Sequence, residues 1–74
     1  MPTFVIEGDQ VVVTVNHVMQ EDHFIEWIAF VTNNCETKVY LNPGQDAVAK
    51  FKLEKGAKIY AYCNKHGLWS TELN

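Results

Sequence analysis

His23-Phe-Ile-Glu-Trp-Ile-Ala-Phe-Val-Thr32 decides the fold class. The run is long enough for a helix, yet Phe24, Glu26, Ile28 and Phe30 alternate with Ile25, Trp27, Ala29 and Val31. One of these sets is wholly apolar, and the other is broken only by Glu26. Aromatic and β-branched content, bounded by turn residues at both ends, predicts a buried strand.

Outward from this run the chain keeps the same character. Upstream, Phe4-Val-Ile reads as a short strand closed by the turn signal Glu7-Gly8-Asp9. Gln10 to Val15 is rich in β-branched residues and makes a second strand, while polar Asn16 to Asp22 puts His17 in or beside a loop. Downstream, Thr37 to Leu41 is a strand ended by Asn42-Pro43-Gly44, where proline then glycine suit a type II turn. Ala47 to Leu53 alternates, Lys55-Gly56 turns, and Lys58 to Cys63 is the last clear strand. Within it, Ile59, Ala61 and Cys63 share one face and Tyr60 and Tyr62 the other. The tail from Ser70 has little to anchor it and is expected to fray. About seven short antiparallel strands, with no amphipathic helix and no repeat, predict an all-β sandwich.

Composition narrows the function classes. Seventy-four residues make one domain, residues 1–74. A chain of this size buries only about 60% of its unfolded surface, and a metal ion or oligomerisation often adds the missing stability. A net charge of −3 with no Lys/Arg stripe argues against nucleic acid. No apolar run is long enough to cross a bilayer, which argues against a membrane. Met1-Pro-Thr-Phe-Val-Ile-Glu lacks a basic segment followed by a leader core, so the expected compartment is the cytoplasm. There the two cysteines stay reduced: Cys63 as a free or metal-bound thiolate, Cys35 as a bystander in the polar turn Thr32-Asn-Asn-Cys-Glu-Thr.

The chemistry gathers at Tyr60-Ala-Tyr-Cys-Asn-Lys-His-Gly-Leu-Trp69. Cys63 and His66 follow a strand with two residues between them, a spacing at which one tight turn aims a thiolate and an imidazole at a common point. The other histidines, His17 and His23, flank a loop about forty residues upstream. Taken singly, a loop histidine is solvated and a strand-end cysteine is a small buried hydrophobe. Taken together, every histidine falls into one of two compact clusters, and one cluster holds a cysteine. The expectation is that His17, His23, Cys63 and His66 hold one zinc, iron or copper ion, since imidazole and thiolate are poor ligands for calcium or magnesium. Backbone N–H groups after Cys63 are expected to point at its sulfur. Gly67 relieves the backbone after the second ligand. Lys65 is either a solvated surface residue or a positive charge that draws in a small anion. Trp27, Tyr62 and Trp69 are expected mostly in the core, with Trp69 screening the site from water. No Ser-His-Asp set, glycine-rich phosphate loop or paired carboxylates stand out, so hydrolase and kinase readings have no support.

At these residues the chain resembles the superoxide reductase family, that is, neelaredoxin and the iron-binding domain of desulfoferrodoxin. The resemblance rests on Val5-Ile-Glu7, His17-Val-Met-Gln-Glu-Asp-His23-Phe-Ile-Glu-Trp-Ile28, Leu41-Asn-Pro-Gly44 and Tyr62-Cys-Asn-Lys-His-Gly-Leu-Trp69, in the family's order. It implies an immunoglobulin-like β-sandwich and non-haem iron held by four equatorial histidines and an axial cysteine. It further implies one-electron reduction of superoxide to hydrogen peroxide, often with rubredoxin as donor. Carried over, His17, His23 and His66 become equatorial ligands and Cys63 the axial thiolate, with Cys63 and Lys65 as the catalytic candidates. The family's Glu-Lys-His loop before the Val-Ile-Glu strand has no counterpart: Pro2 stands near its histidine, and a proline side chain does not ligate metal. Val18 also replaces the proline of the family's His-Pro-Met segment.

Three histidines and one cysteine around iron leave positions for a substrate, whereas around zinc they close tetrahedrally into an inert site. A homo-oligomer would add only a carboxylate, as no further histidine exists in the sequence. Two main readings therefore stand. One is a superoxide reductase-like iron domain with an incomplete ligand set, and the other is a non-catalytic zinc or iron β-sandwich serving as a structural or interaction module. A metal-free sandwich is the third.

Overall fold

The computed structural model describes residues 2–73. Seven strands run in the order β1 (Pro2–Glu7), β2 (Gln10–Val15), β3 (Ile25–Val31), β4 (Glu36–Tyr40), β5 (Val48–Lys52), β6 (Lys58–Cys63) and β7 (Gly67–Glu72). They form two antiparallel sheets, β1-β2-β5 and β4-β3-β6-β7, packed as a β-sandwich. The expected all-β architecture is therefore the one observed, and His23–Thr32 forms the long central strand β3. Pro2 is tolerated because it opens an edge strand, where its missing N–H breaks no central ladder.

The core lies between the sheets and follows the two-residue period of each strand. Val11, Val13 and Val15 of β2 and Ala49 and Phe51 of β5 face Ile28 and Phe30 of β3 and Ile59 and Ala61 of β6. The Phe30 and Phe51 rings stack across the layers with centroids 5.1 Å apart. Each buried side chain of this size stabilises by about 1.5–3 kcal/mol relative to exposure, so the alternation fixes which face of each strand turns inward.

Two expectations are corrected here. The chain end does not fray at Ser70: β7 pairs with β6 through Lys58↔Glu72, and Leu73 is buried with its N–H bonded to the Ala57 carbonyl at 2.9 Å. The gain from burying Leu73 and completing the β6 ladder offsets the entropy of ordering that end. Trp27 and Tyr62 are also not core residues. They stack on the outer face of the four-stranded sheet, centroids 5.8 Å apart, because a shift of register between Ile25 and Trp27 sets Ile28 and Phe30 inward and Trp27 outward.

The turn after β4 is as expected. Gln45 N–H donates to the Asn42 carbonyl at 3.2 Å, with Gly44 at φ +86° in the third turn position. This turn then braces the histidine loop, since Gly44 N–H donates to the Met19 carbonyl at 2.7 Å.

Candidate metal centre

The site sits at one end of the sandwich, where the loop between β2 and β3 meets the β6–β7 turn. β3 and β6 are neighbours, and Ile25 pairs with Cys63 at their ends. That single pairing brings residues some forty positions apart to the same edge. The His23 backbone is held by a reciprocal pair of bonds with Gln20, His23 N–H to Gln20 carbonyl at 3.1 Å and Gln20 N–H to His23 carbonyl at 2.9 Å. On the other side, Gly67 takes φ +87°, a conformation costly for any other residue, and lets the chain reverse into β7 directly after His66.

All four side chains expected to meet do so. One donor atom from each of His17, His23, Cys63 and His66 lies within 4.8 Å of every other. Cys63 Sγ is 3.5 Å from His17 Nε2 and 3.7 Å from His66 Nδ1, and those two nitrogens are 3.4 Å apart. Cys63 is fully buried, His17 and His23 are half-buried and His66 is exposed, so the cluster opens to solvent on the His66 side. Cys35 stands apart as an exposed free thiol in the turn after β3, at the other end of that strand.

The donors fit a metal ion on three counts. His17 Nδ1–H donates to the Val18 carbonyl at 2.7 Å, which fixes the tautomer and leaves the Nε2 lone pair facing the cluster. His23 Nε2 is buried without a hydrogen-bond partner, a state that costs about 1–3 kcal/mol unless something accepts its lone pair. Burial lowers the His23 pKa below its ordinary value, and the neighbouring His17, His66 and Lys65 lower it further against a weaker opposing effect of Asp22. The ring is thereby kept in the neutral, ligating form. An ion with Zn–S of about 2.3 Å and Zn–N of about 2.0–2.1 Å separates tetrahedral donors by about 3.3–3.6 Å, and the same bonds at right angles by about 3.0–3.1 Å. The observed 3.4–3.7 Å separations lie at or just beyond the first range.

Asn64 has a role that reading the sequence missed. Its Oδ1 accepts from Phe24 N–H at 3.0 Å, its Nδ2 donates to the Asp22 carbonyl at 3.0 Å, and its own N–H donates to the Phe24 carbonyl at 3.3 Å. Asn64 thus grips the backbone on both sides of His23 and stitches the two ligand loops together. It also alters the expectation for Cys63: the amide directly after the cysteine is engaged by Phe24, not by the sulfur. A primary amide beside a ligand hints at such a clamp, but nothing local says which distant loop it reaches. Met19 contributes likewise, its Sδ accepting from Ile25 N–H at 3.4 Å. Trp69 packs beside the rings of His17 and His66, with centroids 5.5 and 6.0 Å away, and shields that side of the cluster. Lys65 is exposed in the turn between Cys63 and His66.

Comparison with known proteins places this geometry. Residues 5–72 match the family model described as Desulfoferrodoxin. A desulfoferrodoxin from Syntrophotalea carbinolica is 45% identical over 80% of this chain and 48% of its own length. A desulfoferrodoxin homolog from Archaeoglobus fulgidus is 37% identical over 96% of this chain and 60% of its own length. The chain thus spans about half the length of the curated relatives it matches. Among solved structures, the superoxide reductase from Giardia intestinalis superposes with a TM-score of 0.85 at 28% identity, covering 99% of this chain and 94% of that one. The superoxide reductase from Treponema pallidum gives 0.80 at 28% identity, covering 95% and 61%. With the family's pattern spanning nearly all of its length and its four donors gathered at one end of a superoxide reductase-like sandwich, this chain belongs to the desulfoferrodoxin family.

Proposed function

We propose that the chain is a non-haem iron oxidoreductase domain that reduces superoxide, with one electron and two protons, to hydrogen peroxide. The observation that carries the reading is the convergence of His17, His23, Cys63 and His66 within 4.8 Å, in a chain of this family. Bound iron would supply the one-electron couple, tuned by the electron-rich thiolate. The protein's own contribution is positional. His17, His23 and His66 offer neutral nitrogens, and Cys63 offers a sulfur buried away from competing water. Asn64 holds His23 in place, and Trp69 covers one flank. Lys65, exposed in the turn beside His66, draws a small anion toward the open side against the net charge of −3. Superoxide is small enough that a shallow opening suffices. We place the domain in the cytoplasm, where both free thiols stay reduced, with a rubredoxin-like protein as electron donor.

One observation favours a second reading. Donor separations of 3.4–3.7 Å suit four ligands closing tetrahedrally, the arrangement of an inert zinc site. Metal content, visible spectrum and superoxide consumption measured on one purified sample separate the two. Iron with a thiolate charge-transfer band and turnover is expected, and stoichiometric zinc with neither refutes the catalytic reading. Cys63→Ser is expected to abolish the band. An unchanged spectrum in that variant removes the thiolate from the centre.

A further inference from the structure

The outer face of the four-stranded sheet carries an unpartnered apolar row. Strand register aligns Tyr40, Trp27, Tyr62 and Leu68 side by side across β4, β3, β6 and β7. At about 4.8 Å per strand the row spans about 14 Å. Its ends are strongly exposed, Tyr40 at 69% and Leu68 at 55%, and its centre is the Trp27–Tyr62 stack. Lys38 reaches over Trp27, its Nζ 4.5 Å from the ring centroid. Tyr62 is bonded directly to Cys63, so the row borders the metal end of the sheet while the Cys63 side chain turns to the opposite face.

We infer that this row is the docking surface for a small one-electron donor protein whose redox centre lies at its surface within an apolar rim. The inference deepens the proposed function and rests on it. A row one side chain wide offers on the order of a few hundred Å². A stable complex with a second copy needs about 800 Å² per partner, whereas redox encounters fall at the small end of the interface range. Charge on this face is balanced, Lys38 and Lys58 against Glu36 and Glu72 in the neighbouring rows, so it favours brief apolar contact over electrostatic capture. The position also divides the traffic. The donor meets the sheet face behind Cys63, leaving the His66 side open for the substrate anion. In the transfer the donor's centre loses one electron and the oxidised metal centre gains it, with no bond made or broken.

Reduced rubredoxin serves as the probe, with ascorbate as a small reductant that needs no docking surface. In the iron-loaded protein, Tyr40→Ser combined with Leu68→Ser should slow reduction by rubredoxin by about tenfold, the size expected for losing exposed apolar contacts. Reduction by ascorbate should be unchanged. Nitrogen-15 shift mapping of the purified full chain titrated with oxidised rubredoxin should move Trp27, Tyr40, Tyr62 and Leu68, whichever metal is bound. Equal rubredoxin rates in wild type and variant, or shifts confined to other surfaces, overturn the docking surface while leaving the metal reading intact. A dimer dissociated by the same variant also overturns it, since a second copy is then the occupant. Failure of ascorbate to bleach the visible band counts instead against the redox centre itself.

Discussion

Asn64 shows how much of the site depends on one side chain that binds no metal. Its three bonds bracket His23, and no other pair of facing groups could satisfy both Phe24 N–H and the Asp22 carbonyl in the same place. Replacing it by alanine removes the clamp but not the ligands. Asn64→Ala is expected to weaken metal binding by about 10–100-fold, the usual cost of losing a group that orients a ligand. Asn64→Asp keeps the acceptor for Phe24 and should recover part of that loss. Competition with a chromophoric chelator measures both, and unchanged affinity in the alanine variant would show that His23 is held by other contacts. At the same scale, His23 makes the metal-free protein sensitive to acid. Its folded pKa lies below the ordinary 6.5, chiefly through burial. The unfolded chain therefore takes up the proton first as pH falls, and stability present above about pH 6.5 is lost as pH drops through the folded pKa. Urea midpoints of the metal-free protein should fall between pH 7 and pH 5, and that slope should flatten in His23→Gln.

Among the elements, β7 is the one whose formation depends most on its partner. Its own pattern, Gly67-Leu-Trp-Ser-Thr-Glu72, has only Leu68 and Trp69 as large apolar residues and alternates weakly between half-buried and exposed positions. What holds it is the ladder to β6 and the burial of Leu73 immediately after its end. Leu73→Ala is therefore expected to cost about 2–5 kcal/mol, as for other buried leucines, and to loosen the whole β6–β7 hairpin. Because that hairpin carries Cys63 and His66, metal affinity should fall together with the urea midpoint. A normal midpoint in Leu73→Ala would mean that the strand stands without this anchor. β2 and β6 are the opposite case, expected as Gln10–Val15 and Lys58–Cys63 and observed with those bounds. Alternation of large apolar residues is a local property, and it survives whatever the rest of the chain does.

For the whole molecule, the metal is expected to act as a staple. Two loops far apart in sequence converge on it, and a chain of this length has a thin core margin. An ion bound only by the folded state stabilises by mass action, about 4 kcal/mol at a thousandfold excess over the dissociation constant. Chelation should accordingly lower Tm by well over the 4–8 °C that about 1 kcal/mol shifts a domain of this size. Calorimetry before and after metal removal checks this, and an unmoved Tm would argue that the loops are prearranged without need of an ion. The sequence by itself determined the strands, the inward face of most of them and the four candidate ligands, because side-chain period and ligand chemistry are written in neighbouring residues. Only the tertiary structure decided that Asn64 clamps His23, that the chain's end is a paired strand and that Trp27 and Tyr62 face outward. Each of these depends on which strands become neighbours and in what register, and long-range pairing is settled by the packing of the complete sandwich rather than by any segment alone.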